Sequence, residues 1–170
     1  MLDRNMGMAP SNEDLNRPMY ADSDEAIDQL NSFLRGEISA AETYRMAIEK
    51  AGDSDDHAAN LGLLRGVQEE HGRAAQAIRD RIRELGGEAS DSSGAWGAWA
   101  KFTQGTANLF GDTSSLKALK EGEEHGLKDY EHGVDHIDAT SAELVQNQLI
   151  PAQQKHVNLL DQMINAVGNA

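Results

Sequence analysis

Apolar residues recur every three or four positions in four separate segments of the chain. An α-helix has about 3.6 residues per turn, so positions with this spacing share one face that can be buried. The pattern predicts helices at about 24–51, 55–85, 115–138 and 140–167. The links within each half are short, which places consecutive helices antiparallel. The expected fold is therefore all-α, an antiparallel four-helix bundle.

A carboxylate interrupts the apolar face of the first and the third predicted helix, and a Gln-x-x-His motif interrupts the second and the fourth. The six polar positions are Glu37, Gln68, His71, Glu123, Gln153 and His156. A buried charge is costly unless it is paired or bound to a metal. The pattern therefore predicts a compensated polar site inside the bundle, where these side chains meet.

The two halves of the chain carry this arrangement at nearly the same spacing. Tyr44 follows Glu37 by seven residues, and Tyr130 follows Glu123 by the same number. Such regularity predicts an internal repeat of two similar helix pairs. It also adds Tyr44 and Tyr130 to the candidate site, as second-tier members beside the two glutamines.

The composition narrows the classes of function. The 170 residues suffice for one domain with one core, and the absence of cysteine excludes disulfides, thiolate metal sites and cysteine nucleophiles. A formal net charge of −14 argues against a nucleic-acid partner. No apolar run has the length of a membrane span, and the N-terminus lacks the apolar core of a signal peptide. We expect a cytoplasmic protein without a membrane partner.

The expected domain covers residues 23–170 and follows an aperiodic N-terminal tail at 1–22. Residues 88–114 are the one long connection, and they hold both tryptophans, Trp96 and Trp99. A crossover along the length of a bundle needs about this many residues, so we expect its aromatic side chains to cover the core. An exposed patch for a partner or a membrane surface is the alternative.

Local signals mark the helix ends and one irregularity. Gly52 and Gly86 follow the ends of the first and second predicted helices. Thr140 and Glu143 have the spacing of a capping box at the start of the fourth. Pro151 lacks a backbone N–H and should kink or bulge that helix beside the polar site.

A second stripe of polar residues lies on the third predicted helix. It consists of His125, Asp129, His132 and His136. The stripe lies about 160° around the helix from Glu123, hence on the outer face. We expect an adventitious role in metal binding, or none.

The order of helices, with one long crossover in the middle, resembles the ferritin-like superfamily. There, helices 1 and 3 each supply a Glu, and helices 2 and 4 each supply a Glu-x-x-His. Residues 36–44 are similar to the first ligand helix of bacterioferritins. The crossover and residues 121–130 more closely resemble a small group of bacterial ferritin-like proteins with no settled function. The resemblance covers residues 24–168 and allows two bundles to pair as a homodimer through a helix face. The metal ligands that it implies are Glu37, His71, Glu123 and His156.

Gln68 and Gln153 depart from the superfamily pattern, which has metal-bridging carboxylates at these positions. The two remaining glutamates balance one divalent cation instead of two, and a neutral amide is a poor bridge between cations. The favoured hypothesis is a single divalent ion, Zn, Fe or Mn, held by the four ligands in metal handling or a stress response. Of nearly equal weight is a metal-free structural or stress-associated bundle with a hydrogen-bonded network in place of the site. A di-iron oxidase or peroxidase is the least favoured, because it relies on the missing carboxylates, and enzymatic activity stays an open question.

Overall fold

The computed structural model describes residues 23–52, 57–94 and 113–168. All regular structure in these ranges is helical, with no strand among them. Helix α1 spans Ser23–Ala51, α2 spans Ala58–Glu84 and α3 spans Ser114–Gly133, extended by a 3₁₀ turn at Val134–His136. Helix α4 (Ala139–Leu144), a π-helical turn (Val145–Leu149) and α5 (Ile150–Gly168) form one continuous helical stretch. The all-α class and the four helical segments are confirmed.

The helices form a bundle in which α1 packs along α2, α3 packs along α5, and α1 also contacts α3. Their apolar faces build two separate clusters. The first consists of Tyr44, Ala47, Ile48, Leu61, Leu64, Val67, Leu116, Leu119, Leu160 and Met163. The second consists of Ala26, Leu30, Phe33, Leu34, Ala75, Ile78, Ile82, Tyr130, Ile137, Val145 and Leu149. On every helix the buried polar residues of the candidate site fall between the members of the two clusters, so a polar layer divides the core.

Two glycines end the first two helices as their positions in the sequence predict. Gly52 has φ +67° and Gly86 has φ +81°, a region that L side chains rarely adopt. The start of α4 differs from the prediction. Its N-cap is Asp138, whose side chain accepts hydrogen bonds from the backbone N–H groups of Thr140 and Ser141. The capping box at Thr140 is therefore wrong, because an aspartate two residues earlier satisfies these N–H groups.

The fourth helical stretch is irregular just before its proline. The backbone N–H of Ile150 bonds to the carbonyl of Val145, five residues back. Pro151 follows and has no N–H to donate. The irregularity predicted beside the polar layer is confirmed as a π turn, a feature frequent at functional sites.

The beginning of the long connection is fixed against α1. The side-chain amide of Asn31 donates to the carbonyl of Glu88 at 2.9 Å and accepts from the N–H of Ser90 at 2.8 Å. The aromatic residues predicted to cover the core, in 95–112, and the N-terminal tail, 1–22, lie outside the described residues. Among the described helices, none is long and apolar enough to cross a membrane.

Candidate metal centre

The polar layer brings together residues from all four helical segments. Its members are almost fully buried: Glu37, His71, Glu123, Gln153 and His156. Within it, one atom each of His71, Glu123 and His156 lies within 4.8 Å of the others, a separation that suits a bound metal ion. Glu37, the fourth predicted ligand, adjoins this group through His71.

His71 lies between the two buried glutamates and contacts one with each ring nitrogen. Its Nδ1 is 2.8 Å from Oε2 of Glu37, and its Nε2 is 3.0 Å from Oε1 of Glu123. Burial alone lowers the pKa of an imidazole, but the two negative charges outweigh burial and raise the pKa of His71 to about 10. In the absence of metal His71 is therefore a cation that joins two carboxylates.

Glu123 is the most heavily bonded residue of the layer. Its Oε1 accepts a hydrogen bond from the hydroxyl of Tyr44 at 2.5 Å, besides the contact with His71. Its Oε2 accepts from the amide of Gln153 at 2.5 Å. Burial acts to raise the pKa of Glu123, yet the charge of His71 outweighs it and lowers the pKa to about 2. The carboxylate stays ionised and remains a suitable anionic ligand.

The two tyrosines make reciprocal contacts across the halves of the chain. Tyr44 donates to Glu123, whereas Tyr130 donates to Glu37. Burial is the main reason why the pKa of each phenol is well above its usual value, and the charge of the neighbouring glutamate adds to it. Both phenols therefore stay protonated and act as hydrogen-bond donors.

His156 differs from His71 because one of its nitrogens has no partner. Its Nε2 lies 2.9 Å from Oε2 of Glu70. An ionised carboxylate only accepts hydrogen bonds, so Nε2 carries a proton and donates it to Glu70. The other nitrogen, Nδ1, is buried, makes no hydrogen bond, and lies 3.4 Å from Oε2 of Glu123. A metal ion between these two atoms would have a potential ligand on each side.

The two predicted glutamines have different surroundings. The amide of Gln153 is buried and donates to the side chain and, at 3.0 Å, to the backbone carbonyl of Glu123. Gln68 is half-buried and makes no hydrogen bond within the described part of the chain, while Val67 is buried in its place. Gln68 thus lies at the border of the buried face, next to the buried Val67.

Glu70 is a site residue that the sequence pattern did not identify. Its carboxylate contacts His156 through Oε2 and Nζ of Lys155 through Oε1, the latter at 2.7 Å. Partial burial acts to raise the pKa of Glu70, but the hydrogen bonds from Lys155 and His156 prevail and lower it. Helical spacing places Glu70 beside the buried face of α2 and not on it. Only the approach of α5 reveals the contact.

The second histidine stripe lies on the surface, as expected. His125, His132 and His136 are exposed. His125 lies 3.5 Å from Asp129, and His136 lies 3.3 Å from Glu25. These contacts are ordinary surface ion pairs, distinct from the buried layer.

Residues 25–136 match the family described as a domain of unknown function, DUF2383. The matched region includes Glu37, His71 and Glu123 and ends before His156. No curated protein and no solved structure matches the chain. The match covers most of the sequence, and the family is a ferritin-like type of domain. The chain belongs to the DUF2383 family.

Proposed function

We propose that this protein binds a single divalent metal ion in the polar layer of an antiparallel, ferritin-like bundle formed by residues 23–170. His71, Glu123 and His156 supply the ligand atoms, and Glu37 contributes its negative charge to the same site. The observation that carries the proposal is the buried Nδ1 of His156, which faces Glu123 without a hydrogen bond. A cation between these two atoms would take an electron pair from each and would give the buried nitrogen a partner.

The donor atoms fit the class of metal expected from the sequence. Two imidazole nitrogens and a carboxylate oxygen suit Zn²⁺, Fe²⁺ or Mn²⁺. A carboxylate already holds the far nitrogen of each ring, since Glu37 contacts Nδ1 of His71 and Glu70 contacts Nε2 of His156. Such contacts orient the ring and raise its basicity, so they support metal binding at the opposite nitrogen.

Charge supports one ion and not two. Glu37 and Glu123 together balance one divalent cation after His71 has released its extra proton. The amide of Gln153 engages the second oxygen of Glu123, so this carboxylate is poorly placed to bridge two ions. Two 2+ charges about 4 Å apart repel by on the order of 16 kcal/mol at an effective dielectric of about 20. A di-iron oxidase is therefore disfavoured.

A metal-free structural bundle is the second candidate, and a specific observation favours it as well. The contacts of Glu37, His71 and Glu123 with one another and with the two tyrosines already satisfy most of the buried polar groups. A fully connected network of this kind fixes how helices pack. A metal-free network does not explain why Nδ1 of His156 is buried without a hydrogen bond. We therefore rank this candidate second.

Calorimetric titration of chelator-treated protein with Zn²⁺ distinguishes the two candidates. The single-ion site predicts one Zn²⁺ per chain and a rise in melting temperature, because a ligand that binds only the folded state stabilises it. His156→Ala should abolish both, and the exposed control His132→Ala should leave both unchanged. Absence of binding to the parent protein, or loss of binding in the control alone, would contradict the proposal.

A further inference from the structure

A chain of polar contacts connects the buried site to solvent through Glu70 and Lys155. The side chains of Glu37, His71, Glu123 and His156 are at most 6% exposed. Glu70, which contacts His156, is 26% exposed, and its partner Lys155 is 66% exposed. Hydrophobic clusters lie on either side of the polar layer along the bundle. On this side of the layer, an ion that approaches from solvent meets the carboxylate of Glu70 before it reaches His156.

Glu70 uses its two oxygens in different directions. Oε2 faces inward and lies 2.9 Å from Nε2 of His156, while Oε1 lies 2.7 Å from Nζ of Lys155 at the surface. Glu70 comes from α2, and the other two residues come from α5. The ammonium group thus occupies the outer side of the carboxylate, where an incoming cation would bind.

We propose that Glu70 and Lys155 form a gate that controls how fast a divalent cation enters and leaves the buried site. The inference rests on the proposed metal site and adds its route of access. Glu70 attracts the cation and helps to remove its hydration shell, and Lys155 competes with the cation for Oε1. Because Lys155 is mostly exposed, its ammonium group moves into solvent at little cost when a cation takes its place.

Rates of Zn²⁺ uptake and release test the gate with matched variants. Lys155→Met removes the ammonium group and keeps the length of the side chain. Arg83→Met changes the net charge equally, since Arg83 pairs with the exposed Asp80, about 20 Å further along α2. In stopped-flow uptake, and in release into excess EDTA, Lys155→Met should be about two- to fivefold faster than the parent. Arg83→Met should be indistinguishable from the parent.

Glu70→Gln should have the opposite effect on the rate of uptake. The amide oxygen still accepts the hydrogen bond from His156, but the charge that attracts the cation is lost. Uptake should slow by at least about threefold, and the affinity should fall by about tenfold because the ring becomes less basic. Asp80→Asn is the matched control for charge and should change neither quantity. Circular dichroism and thermal melts of all four variants verify that they are folded.

The results separate failure of the gate from failure of the site. If the parent binds Zn²⁺ while Lys155→Met and Glu70→Gln exchange it at the parent rate, the gate is refuted and the metal site stands. If the parent binds no Zn²⁺ at all, the metal site is refuted, and the gate with it. Faster exchange in Arg83→Met as in Lys155→Met would assign the effect to net charge and would also refute the gate.

Discussion

The two halves of the bundle contain the same residue types but use them differently. In the first half, His71 is bonded at both nitrogens and Gln68 lies half-buried without a hydrogen bond. In the second half, His156 has a buried nitrogen without a partner, and Gln153 is bonded to the carboxylate next to it. The histidine of the first half is thus fully bonded, whereas the histidine of the second half has a buried nitrogen that makes no hydrogen bond. The proposed metal site depends on this difference and not on the shared motif alone.

The small residue beside each glutamate also differs between the halves. A Cβ placed on Gly126 would lie 2.9 Å from the amide nitrogen of Gln153, so the glycine makes room for that side chain. Gly126 lies three residues after Glu123, and Ala40 lies three residues after Glu37. The first half therefore carries a methyl group where the second half has space. Gly126 thus permits the close approach of Gln153 to Glu123 in the second half.

The largest expected effect concerns His71 and the pH dependence of metal-free protein. The pKa of His71 is about 10 in the folded state and about 6.5 in the unfolded chain. Because the folded protein binds this proton more tightly than the unfolded chain, protonation of His71 stabilises the folded state. This contribution to the free energy of unfolding is fully present below about pH 6.5 and is lost as the pH rises to about 10. Chelator-treated protein should lose on the order of 4 kcal/mol of unfolding free energy over that range. Urea unfolding at a series of pH values measures this loss.

The matched variants for this pH dependence are His71→Gln and His132→Gln. His71→Gln should remove most of the loss, and the exposed His132→Gln should keep it. An unchanged pH dependence in His71→Gln would mean that the first half does not hold a buried cation.

The next effect compares the two glutamates. Glu123→Gln removes the charge that pairs with His71 and places a second amide against Gln153, so we expect a cost of about 3–5 kcal/mol. Glu37→Gln also weakens a contact with His71 but leaves fewer groups without partners, and about 1–3 kcal/mol should be lost. Urea unfolding of both variants at neutral pH checks the order. Equal losses would show that the two halves contribute alike.

The two glutamines should differ by a smaller amount. Gln153→Ala removes the hydrogen bonds to the carboxylate and the backbone carbonyl of Glu123. The free energy of unfolding should fall by about 1–3 kcal/mol. Gln68→Ala breaks no hydrogen bond within the described structure and should change stability by less than about 0.5 kcal/mol. Thermal melts of the two single variants suffice for the comparison. A large loss of stability in Gln68→Ala would mean that Gln68 takes part in the hydrogen bonds of the buried layer.

The smallest effect tests the glycine that makes room for Gln153. Alanine is favoured over glycine in a helix by about 0.5–1 kcal/mol, and a Cβ on Gly36 meets nothing within 4 Å. Gly36→Ala should therefore stabilise the protein by about that amount. Gly126→Ala should not, because the displaced amide of Gln153 offsets the gain and leaves a net loss of about 1 kcal/mol. A stabilised Gly126→Ala would mean that Gln153 relaxes freely.

The sequence was a good guide to periodic features and a poor one to contacts between helices. The four helical segments and the burial of Glu37, His71, Glu123 and His156 follow from spacing that one helix displays by itself. Glu70 could not be found in this way, because its contact with His156 depends on how α5 approaches α2. The sequence pattern also did not distinguish the adjacent residues Val67 and Gln68, of which only Val67 is fully buried in α2.

The helix ends show the same division. The glycines after α1 and α2 act within a few residues and were predicted correctly. The start of α4 differs from the prediction because Asp138 accepts the hydrogen bonds of the first N–H groups. Asp138 also accepts a hydrogen bond from Arg81 of α2 at 2.8 Å. A cap that joins two helices is only partly a local feature.

The crossed contacts of Tyr44 with Glu123 and of Tyr130 with Glu37 bear on how much of the chain can fold independently. A hairpin of α1 and α2 in isolation retains a buried acid but lacks the phenol that donates to it, and the other hairpin has the same deficit. Neither hairpin is therefore a complete folding unit. A second copy of the same hairpin would offer an equivalent phenol, so an isolated half has more reason to self-associate than to remain a monomer.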